Sequence, residues 1–422
     1  MKRAMWVGLS CAVASLALGA CDAGGSNKGE TGAGATGGTG PGFDGGLAAA
    51  PPFDGGGDDD GGVTSSCPGQ AESFIWIANT GEGTLSKVNT VSGVEVARYI
   101  TSPQGAAGDP SRTSVNLHGD MVVTNRDPAS GPSSVTKFAG ALDDCVDRDD
   151  DGNIHTSTGP SDVKPWGEDE CMIWNTPLGS GGSIGARATA WDGREDEQTG
   201  EGGHVYIGAV NNRTIYKLDG ETGAILDQAV TAIGHYGGAI DGKGNFWTVA
   251  MSCTVGACSI ERTSIDDLTD HDVHGVQCGY GISIDAAGRV WTAGLGCVSR
   301  YDPSTGANPF VGTGMMDFNR GVAVGTALSQ GFVWAASTNG DLVQVDQDSV
   351  QIVRREPVGV QEMVGVAVDC EGYVWTVSKD GNSAYKVHPG TWAVEPVPIG
   401  LLPYTYSDMT GMQLRAVTPP PR

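Results

Sequence analysis

The alternation of apolar and polar positions repeats through the later half of the chain. Three stretches share a pattern of Gly, an apolar run, Asp, two residues, Gly, and then an apolar residue before Trp: YGGAIDGKGNFWTVA (236–250), YGISIDAAGRVWTAG (280–294) and VGVAVDCEGYVWTVS (364–378). Each stretch predicts two short β-strands joined by a D-x-x-G turn, because Gly can take a positive φ there and Asp can bond its own backbone. The stretch RGVAVGTALSQGFVWAA (320–336) is the same unit with a longer turn.

The position that Trp occupies in these units can be followed along the chain. It is held by Trp76, Val122, Tyr206, Trp247, Trp291, Trp334 and Trp375. The intervals are about 41 to 46 residues, apart from one of about 84, and four-stranded units of this size are typical of a β-propeller. We interpret the long interval as an insertion, because SVTKFA (134–139) and ECMIWNTPL (170–178) match third and fourth strands. The sequence therefore predicts an all-β, seven-bladed β-propeller whose Trp positions pack between blades.

The first blade lacks its first strand. Residues 72–100 supply strands two to four, and only a Gly-rich segment precedes them. The segment TGMQLRAV (410–417) has the length of a first strand and a Gly in the right place. We therefore expect the C-terminal segment to complete blade one, which closes the ring and leaves no free sheet edge.

The N-terminal segment predicts an address outside the cytoplasm. Residues 1–20 have a basic start and an apolar stretch, as in a signal peptide. The sequence LGAC, ending at Cys21, resembles a bacterial lipobox in which the cysteine is lipidated. Residues 21–66 form a Gly-rich, flexible tether ahead of a propeller at 67–422. We expect a protein anchored by lipid to the bacterial cell envelope, at the outer or inner membrane and on its periplasmic or surface side.

The net charge of the chain limits the classes of binding partner that we expect. The chain of 422 residues has 50 acidic and 25 basic side chains, a formal net charge of −25. Attraction to phosphate backbones is therefore absent as a general force, which excludes nucleic acid as an expected partner.

Eight cysteines follow the lipobox, and an even number in an exported chain predicts disulfides. Topology favours Cys67 with Cys370 across the ring closure and Cys145 with Cys171 at the base of the insertion. For the other four, we prefer Cys253 with Cys258 and Cys278 with Cys297, and Cys258 with Cys297 remains an alternative.

The insertion, at about 140–170, contains a candidate calcium loop in the sequence CVDRDDDGNI. Asp147, Asp149 and Asp151 take positions 1, 3 and 5 of such a loop, and Asn153 offers a backbone carbonyl at position 7. A further carboxylate could come from Asp162, Glu168, Asp169 or Glu170. We predict a structural calcium ion that orders the insertion, with a solvated acidic loop as the alternative.

At the Gly-apolar-Asp-x-x-Gly-x-apolar-Trp repeats, the chain resembles the seven-bladed propellers of the virginiamycin B lyase-like and NHL-repeat group. The resemblance covers roughly residues 72–417. It implies catalytic histidines directly before the strand-opening Gly and a magnesium-dependent elimination. This chain has Tyr236, Tyr280, Arg320 and Val364 in that place.

The predicted ligand site lies where the first strands begin. Aligning these strands places Arg187, Tyr236, Tyr280 and Arg320 at the same position of the repeat in four consecutive blades, with Arg112 one residue out of phase. Arg offers forked donors to anions, and Tyr adds a flat apolar face with a polar tip. We predict a monomeric, non-catalytic envelope propeller that binds an anionic or carbohydrate-like ligand or a protein partner. For the function, the alternatives are a virginiamycin B lyase-like elimination enzyme or another propeller enzyme, and a purely structural surface protein. For the site, the alternative is pairing of these arginines with local acids such as Asp317, Glu362 or Asp408.

Overall fold

The computed structural model describes residues 73–127, 131–179, 183–251, 253 and 255–417. The predicted signal peptide, Cys21, the tether and Cys67 lie outside these residues. Within them, the chain forms seven sheets in which consecutive strands pair antiparallel, the seven blades of a β-propeller.

The strands follow one another blade by blade along the chain. Blade one contains β1 (Phe74–Asn79), β2 (Thr84–Asn89) and β3 (Glu95–Ile100). Blade two contains β4 (Pro110–Val115), β5 (Met121–Asn125), β6 (Ser133–Phe138) and β7 (Met172–Leu178). Blade three contains β8 (Ala186–Trp191), β9 (His204–Ala209), β10 (Thr214–Asp219) and β11 (Ile225–Val230). Blades four and five contain β12 (His235–Ile240), β13 (Asn245–Ala250), β14 (Cys258–Ser264) and β15 (His271–Val276); and β16 (Gly281–Ile284), β17 (Val290–Gly294), β18 (Cys297–Tyr301) and β19 (Phe310–Gly312). Blades six and seven contain β20 (Asn319–Val324), β21 (Phe332–Ser337), β22 (Asp341–Asp346) and β23 (Ile352–Pro357); and β24 (Met363–Val368), β25 (Val374–Ser378), β26 (Ser383–Val387) and β27 (Val394–Pro398). A two-residue strand β28 (Tyr406–Ser407) and a short helix α1 (Met412–Val417) end the described chain.

The repeated Asp and Trp are joined by a hydrogen bond in the three blades with the complete motif. The indole Nε1 of Trp247 donates to Asp241 Oδ2 at 2.8 Å, and Trp375 makes the same bond to Asp369. The other carboxylate oxygen of Asp241 accepts backbone N–H groups of its own turn. The Gly of that turn, Gly244, has a φ of 80°, as the D-x-x-G pattern predicts. The motif therefore links the turn to the second strand of its own blade.

The tryptophans also pack between blades, as predicted. Trp291 of blade five lies in an apolar cluster with Val322 and Val333 of blade six. Trp76 likewise packs with Met121 and Phe138 of blade two. These side chains are fully buried, so the Trp positions form the core between sheets.

The ring closes through the C-terminal segment, but not through the residues that the sequence favoured. Residues 412–417 form α1, so the prediction of a strand at 410–417 is wrong. Residues 403–409, which include β28, take the innermost place beside β1 instead: Pro403 bridges Asn79 of β1, and Trp76 N donates to Met409 O at 2.9 Å. On its other side, β28 pairs with β4 in parallel.

Close packing confirms this assignment of the innermost strand. Methyl groups at the strand-opening Gly281 and Gly365 would lie 2.3 Å from the carbonyl oxygens of Arg320 and Thr405, respectively. Thr405 therefore packs on blade seven as Arg320 packs on blade five. Residues 412–417 form α1 and do not continue the strand, because Asp408 caps this helix. Its carboxylate accepts the N–H groups of Gly411 and Leu414 at 2.8 and 3.1 Å.

The disulfides follow the preferred pairing. Cys145 bonds to Cys171, Cys253 to Cys258 and Cys278 to Cys297. Cys370 is also disulfide-bonded, and its predicted partner Cys67 lies outside the described residues. The insertion between β6 and β7 is thus tied at its base, as predicted. No helix in the described ranges has the length and apolar character needed to span a membrane.

Candidate functional site: the Arg–Tyr cluster

The first strands carry β-bulges near their beginning. In blades three, four, six and seven the register shifts around Arg187, Tyr236, Arg320 and Val364, respectively. A bulge inserts one unpaired residue and re-aims its side chain. In blade two the extra residue is Ser111, and Arg112 pairs with Thr124. This explains why Arg112 is out of phase in the sequence. We call the face at which the first strands begin the upper face.

Four tyrosine hydroxyls meet beneath this face. Tyr236 OH lies 2.5 Å from Tyr280 OH and 2.9 Å from Tyr404 OH. Tyr280 OH lies 2.5 Å from Tyr404 OH and 3.3 Å from Tyr406 OH. The first two tyrosines come from blades four and five, whereas Tyr404 and Tyr406 come from the closing segment. Ring closure therefore assembles this hydroxyl network.

Three arginines lie against the tyrosine rings. The guanidinium carbon Cζ of Arg112 lies 4.0 Å from the ring centroid of Tyr406 and 4.8 Å from that of Tyr236. Cζ of Arg187 lies 4.5 Å from the Tyr236 ring. Arg126 lies 5.1 Å from the Tyr404 ring. At these distances a cation is attracted to the face of an aromatic ring.

Arg320 belongs to the same group. Its Cζ lies 5.5 Å from the ring of Phe318, which packs edge-on against Tyr280 with centroids 4.8 Å apart. Burial alone would lower the pKa of Arg320, but the Coulombic influence of Tyr406, Tyr280 and Tyr404 outweighs it, so the pKa is raised. We call the full set the Arg–Tyr cluster: Arg112, Arg126, Arg187, Arg320, Tyr236, Tyr280, Tyr404 and Tyr406.

The carboxylates considered as partners of the arginines account for only part of the cluster. Arg320 pairs with Glu362 at 3.2 Å, as the alternative of local ion pairs predicted. Asp317 instead pairs with Arg355 at 3.1 Å, and Asp408 caps α1. These two residues are therefore not counter-ions of the cluster.

Two of the arginines have no carboxylate partner among the described residues. Among the described residues no carboxylate lies within ion-pairing distance of Arg112 or Arg187, although Arg126 pairs with Asp109. Arg112 is 1% exposed, and its Nε and Nη2 have no hydrogen-bond partner in the described part of the chain. Burial lowers the pKa of Arg112. A buried cation with unpaired donors is costly to the fold. The four arginines of the cluster have two carboxylate partners among the described residues, Asp109 and Glu362, so the cluster holds excess positive charge.

The positive charge of the cluster affects the pKa of one tyrosine, Tyr404. Burial raises the pKa of Tyr404, but Arg187 and hydrogen bonds from neighbouring tyrosines outweigh it and lower the pKa to about 7. Burial raises the pKa of Tyr280 and of Tyr406 well above 10. Tyr404 is thus the tyrosine of this network on which a negative charge is most stable.

The structure brings together all five residues that the sequence placed in the predicted ligand site: Arg112, Arg187, Tyr236, Tyr280 and Arg320. Sequence reasoning missed three other members of the cluster. Tyr404 and Tyr406 alternate in the closing strand, and their spacing could have indicated one shared face. Arg126 follows the second strand of blade two, and no repeat position marks it.

The candidate calcium loop lies in the insertion, apart from the Arg–Tyr cluster in sequence. Ligand oxygens of Asp147, Asp149 and Glu170 lie within 4.8 Å of one another. Glu170 is 4% exposed and accepts the backbone N–H groups of Arg148 and His155, each at 2.7 Å. Of the four carboxylates that the sequence left open, Glu170 is the one in this group.

The remaining predicted ligands lie on the same loop with other contacts. Asp151 accepts the backbone N–H of Asn153 at 2.8 Å and lies 3.0 Å from Nε2 of His155. Gly152 N donates to Asp147 Oδ2 at 2.9 Å. The side chains of Asp151 and Asn153 therefore support the turn, and their oxygens lie at its exposed edge.

A buried histidine near the cluster has a structural environment. His235 precedes Tyr236 and is fully buried, with its ring nitrogens 2.9 Å from Thr231 Oγ1 and 2.8 Å from Thr248 Oγ1. Burial lowers its pKa to about 4. A neutral imidazole with both nitrogens occupied by hydroxyls supports the blade and does not face a ligand.

The chain is similar to solved structures of known proteins. No family model matches the chain, and no curated protein matches it. Among solved structures, a catalytically inactive virginiamycin B lyase from Staphylococcus aureus, solved with quinupristin, matches with 12% identity and a TM-score of 0.49. The match covers 69% of this chain and 84% of that chain. This likeness concerns the fold alone.

Proposed function

We propose that this protein is a lipid-anchored, non-catalytic β-propeller of the bacterial cell envelope that binds an anionic or carbohydrate-like ligand at the Arg–Tyr cluster. The observation that carries the proposal is the excess positive charge at this cluster. Arg112 and Arg187 lack a described carboxylate partner in a chain whose formal net charge is −25. An acidic protein that concentrates unpaired guanidinium groups at one point provides a favourable location for an anion.

The composition of the cluster supports the same ligand class. Guanidinium donors match carboxylate or phosphate oxygens in pairs, and tyrosine rings offer flat surfaces to a sugar. The partly exposed members are Arg126, Arg187, Arg320 and Tyr404, whereas Arg112 and the other tyrosines lie deeper. A ligand would therefore meet Arg187 and Tyr404 first.

The test is calorimetric titration of the purified protein with D-galacturonate, citrate and sulfate, with D-galactose as the uncharged comparison. We expect the anions to bind more tightly than galactose and to weaken as salt rises. Arg187→Gln should lower anion affinity about tenfold or more, since hydrogen bonds to charged groups contribute about 1.5–3 kcal/mol. Arg262→Gln, on the outer strands of blade four, is the control and should bind as the wild type does. If Arg187→Gln and wild type bound these anions with equal affinity, the proposal would be wrong.

The membrane anchor is tested separately. Cys21→Ser removes the proposed acylation site, so the variant should move from the detergent phase to the aqueous phase when Triton X-114 is warmed. Acyl chains contribute about 0.8 kcal/mol per buried methylene, which is why their loss should be visible in partitioning. If wild type and variant both enter the aqueous phase, the protein is not lipid-anchored.

We also propose that calcium orders the insertion through Asp147, Asp149 and Glu170, with the neighbouring loop oxygens completing the coordination. Oxygen-only ligands at alternating positions are the preferred set for this ion. After chelation, titration with calcium should show one site that Asp149→Ala abolishes and Asp143→Ala leaves intact. Calcium should also slow proteolysis within residues 140–170. Absence of both effects in the wild type would leave a solvated acidic loop.

A further inference from the structure

Apolar side chains are exposed beside the Arg–Tyr cluster. Met315 and Met316 are 90% and 88% exposed, in the loop between β19 and β20. Val255 and Leu295 are about half exposed in the loops that join the second and third strands of blades four and five. All four lie on the upper face, because those loops and the first-strand starts share one end of the blades. Grouped exposed apolar side chains commonly mark an interaction site.

These side chains form one surface. Gly296 lies between them, and a methyl group there would be 3.6 Å from Met315 Cα and 3.7 Å from Val255 Cγ2. Leu295 forms a backbone bridge with Phe318. We call Val255, Leu295, Met315, Met316 and Phe318 the apolar rim.

The rim reaches the charged cluster through Phe318. This ring contacts Tyr280 edge-on, and Arg320 Cζ lies 5.5 Å from its centroid. An apolar surface therefore begins next to a guanidinium group. Neither a purely polar sugar nor a bare inorganic anion would use both features.

Covalent and backbone links hold the rim. The disulfide Cys278–Cys297 ties the start of blade five to the strand that follows Leu295. Gly296 N donates to Asp317 O at 2.6 Å, and Thr313 N donates to Gly296 O at 2.8 Å. A surface held in this way binds with a smaller loss of conformational entropy.

We infer that the ligand is an amphipathic anion, with its anionic head at Arg187 and Arg320 and its alkyl part along the apolar rim. This inference rests on the proposed function and specifies its ligand. Charge complementarity selects the head, and the continuity from Arg320 through Phe318 to Met315 selects an extended apolar tail.

The experiment compares straight-chain carboxylates of increasing length, acetate, hexanoate, octanoate and decanoate, each below its micellar concentration. Affinity should rise with chain length and approach about fourfold for each methylene that becomes fully buried. The double variant Met315→Ser with Met316→Ser should lower octanoate affinity about tenfold while leaving acetate affinity unchanged. Val230→Ser, an exposed valine on the outer strand of blade three, is the matched control and should not alter either affinity.

The outcomes separate this inference from the proposed function. Arg187-dependent binding of acetate and octanoate with equal affinity would overturn the amphipathic ligand and leave anion binding intact. If no carboxylate of any length binds, both fail. If octanol binds as well as octanoate, the charged head has no role and the inference is wrong. If Met315 and Met316 are needed for sedimentation with phosphatidylcholine vesicles but not for octanoate binding, the rim contacts membrane instead.

Discussion

The substitution Arg112→Met tests whether the buried guanidinium serves the fold or the site. Arg112 is 1% exposed between the rings of Tyr406 and Tyr236. Its Nε and Nη2 find no hydrogen-bond partner in the described chain. Methionine keeps an unbranched side chain in the same space, and its sulfur can contact the same aromatic rings. The change therefore removes the charge and the unpaired donors with little loss of packing.

The magnitude follows from opposing contributions at this residue. Two buried unpaired N–H groups cost about 1–3 kcal/mol each. Contacts with two aromatic rings return about 2 kcal/mol or more when a cation is desolvated. Replacing a buried charge by a well-packed apolar side chain is often neutral or stabilising by about 1–4 kcal/mol. We expect Arg112→Met to raise the free energy of unfolding by about 1 kcal/mol.

The assay is urea unfolding of wild type and Arg112→Met. The dependence of the unfolding free energy on urea concentration is compared between the two proteins as a check on two-state behaviour. Titration with citrate on the same samples should show weaker binding by the variant. Greater stability together with weaker anion binding is the signature of a charge retained for a ligand. A loss of about 2 kcal/mol or more at an unchanged slope would show that Arg112 supports the fold, and the reasoning about its unpaired donors would be wrong.

Three further predictions concern closure, protonation and the repeat motif. Deletion of residues 403–422 should abolish cooperative thermal unfolding, because β1 and β4 lose their inner neighbour, whereas deletion of 418–422 should not; a normal melt of the longer deletion would contradict the closure. Tyr404→Phe should remove a tyrosinate absorbance change centred near pH 7. The pKa of Tyr404 is about 7 against an ordinary 10.0, so the wild type should gain stability relative to the variant as pH rises from about 7 to about 10. That gain should be lost as pH falls through 7. Identical titrations of the two proteins would contradict the charged Tyr404. Asp369→Ala removes the acceptor of Trp375 Nε1 and of two turn N–H groups, and should cost about 2–4 kcal/mol in urea unfolding, whereas Asp346→Ala in an exposed turn should cost less; equal losses would exclude a special role for the Asp–Trp bond.

The sequence determined the blades because their causes are local. A Gly that must take a positive φ, an Asp that caps its own turn and a Trp six residues later lie within one hairpin, so each copy can be read independently. The Cys145–Cys171 pair and the insertion it closes were also readable, since both ends of the insertion match strands. The step shared by Arg187, Tyr236 and Arg320 was visible for the same reason, because one bulge recurs at one place in the repeat.

Only the tertiary structure decided how the chain ends and what completes the site. Residues 403–409 and 410–417 compete for the innermost place in blade one, and both contain apolar residues at suitable spacing. The choice depends on Thr405 packing against Gly365 and on Asp408 capping α1, contacts that involve a neighbouring blade and a change of chain direction. Tyr404 and Tyr406 enter the Arg–Tyr cluster as a consequence of that choice. Their positions are non-local, since they depend on the ends of a chain meeting around a ring, and a repeat pattern contains no information about the one segment that does not repeat.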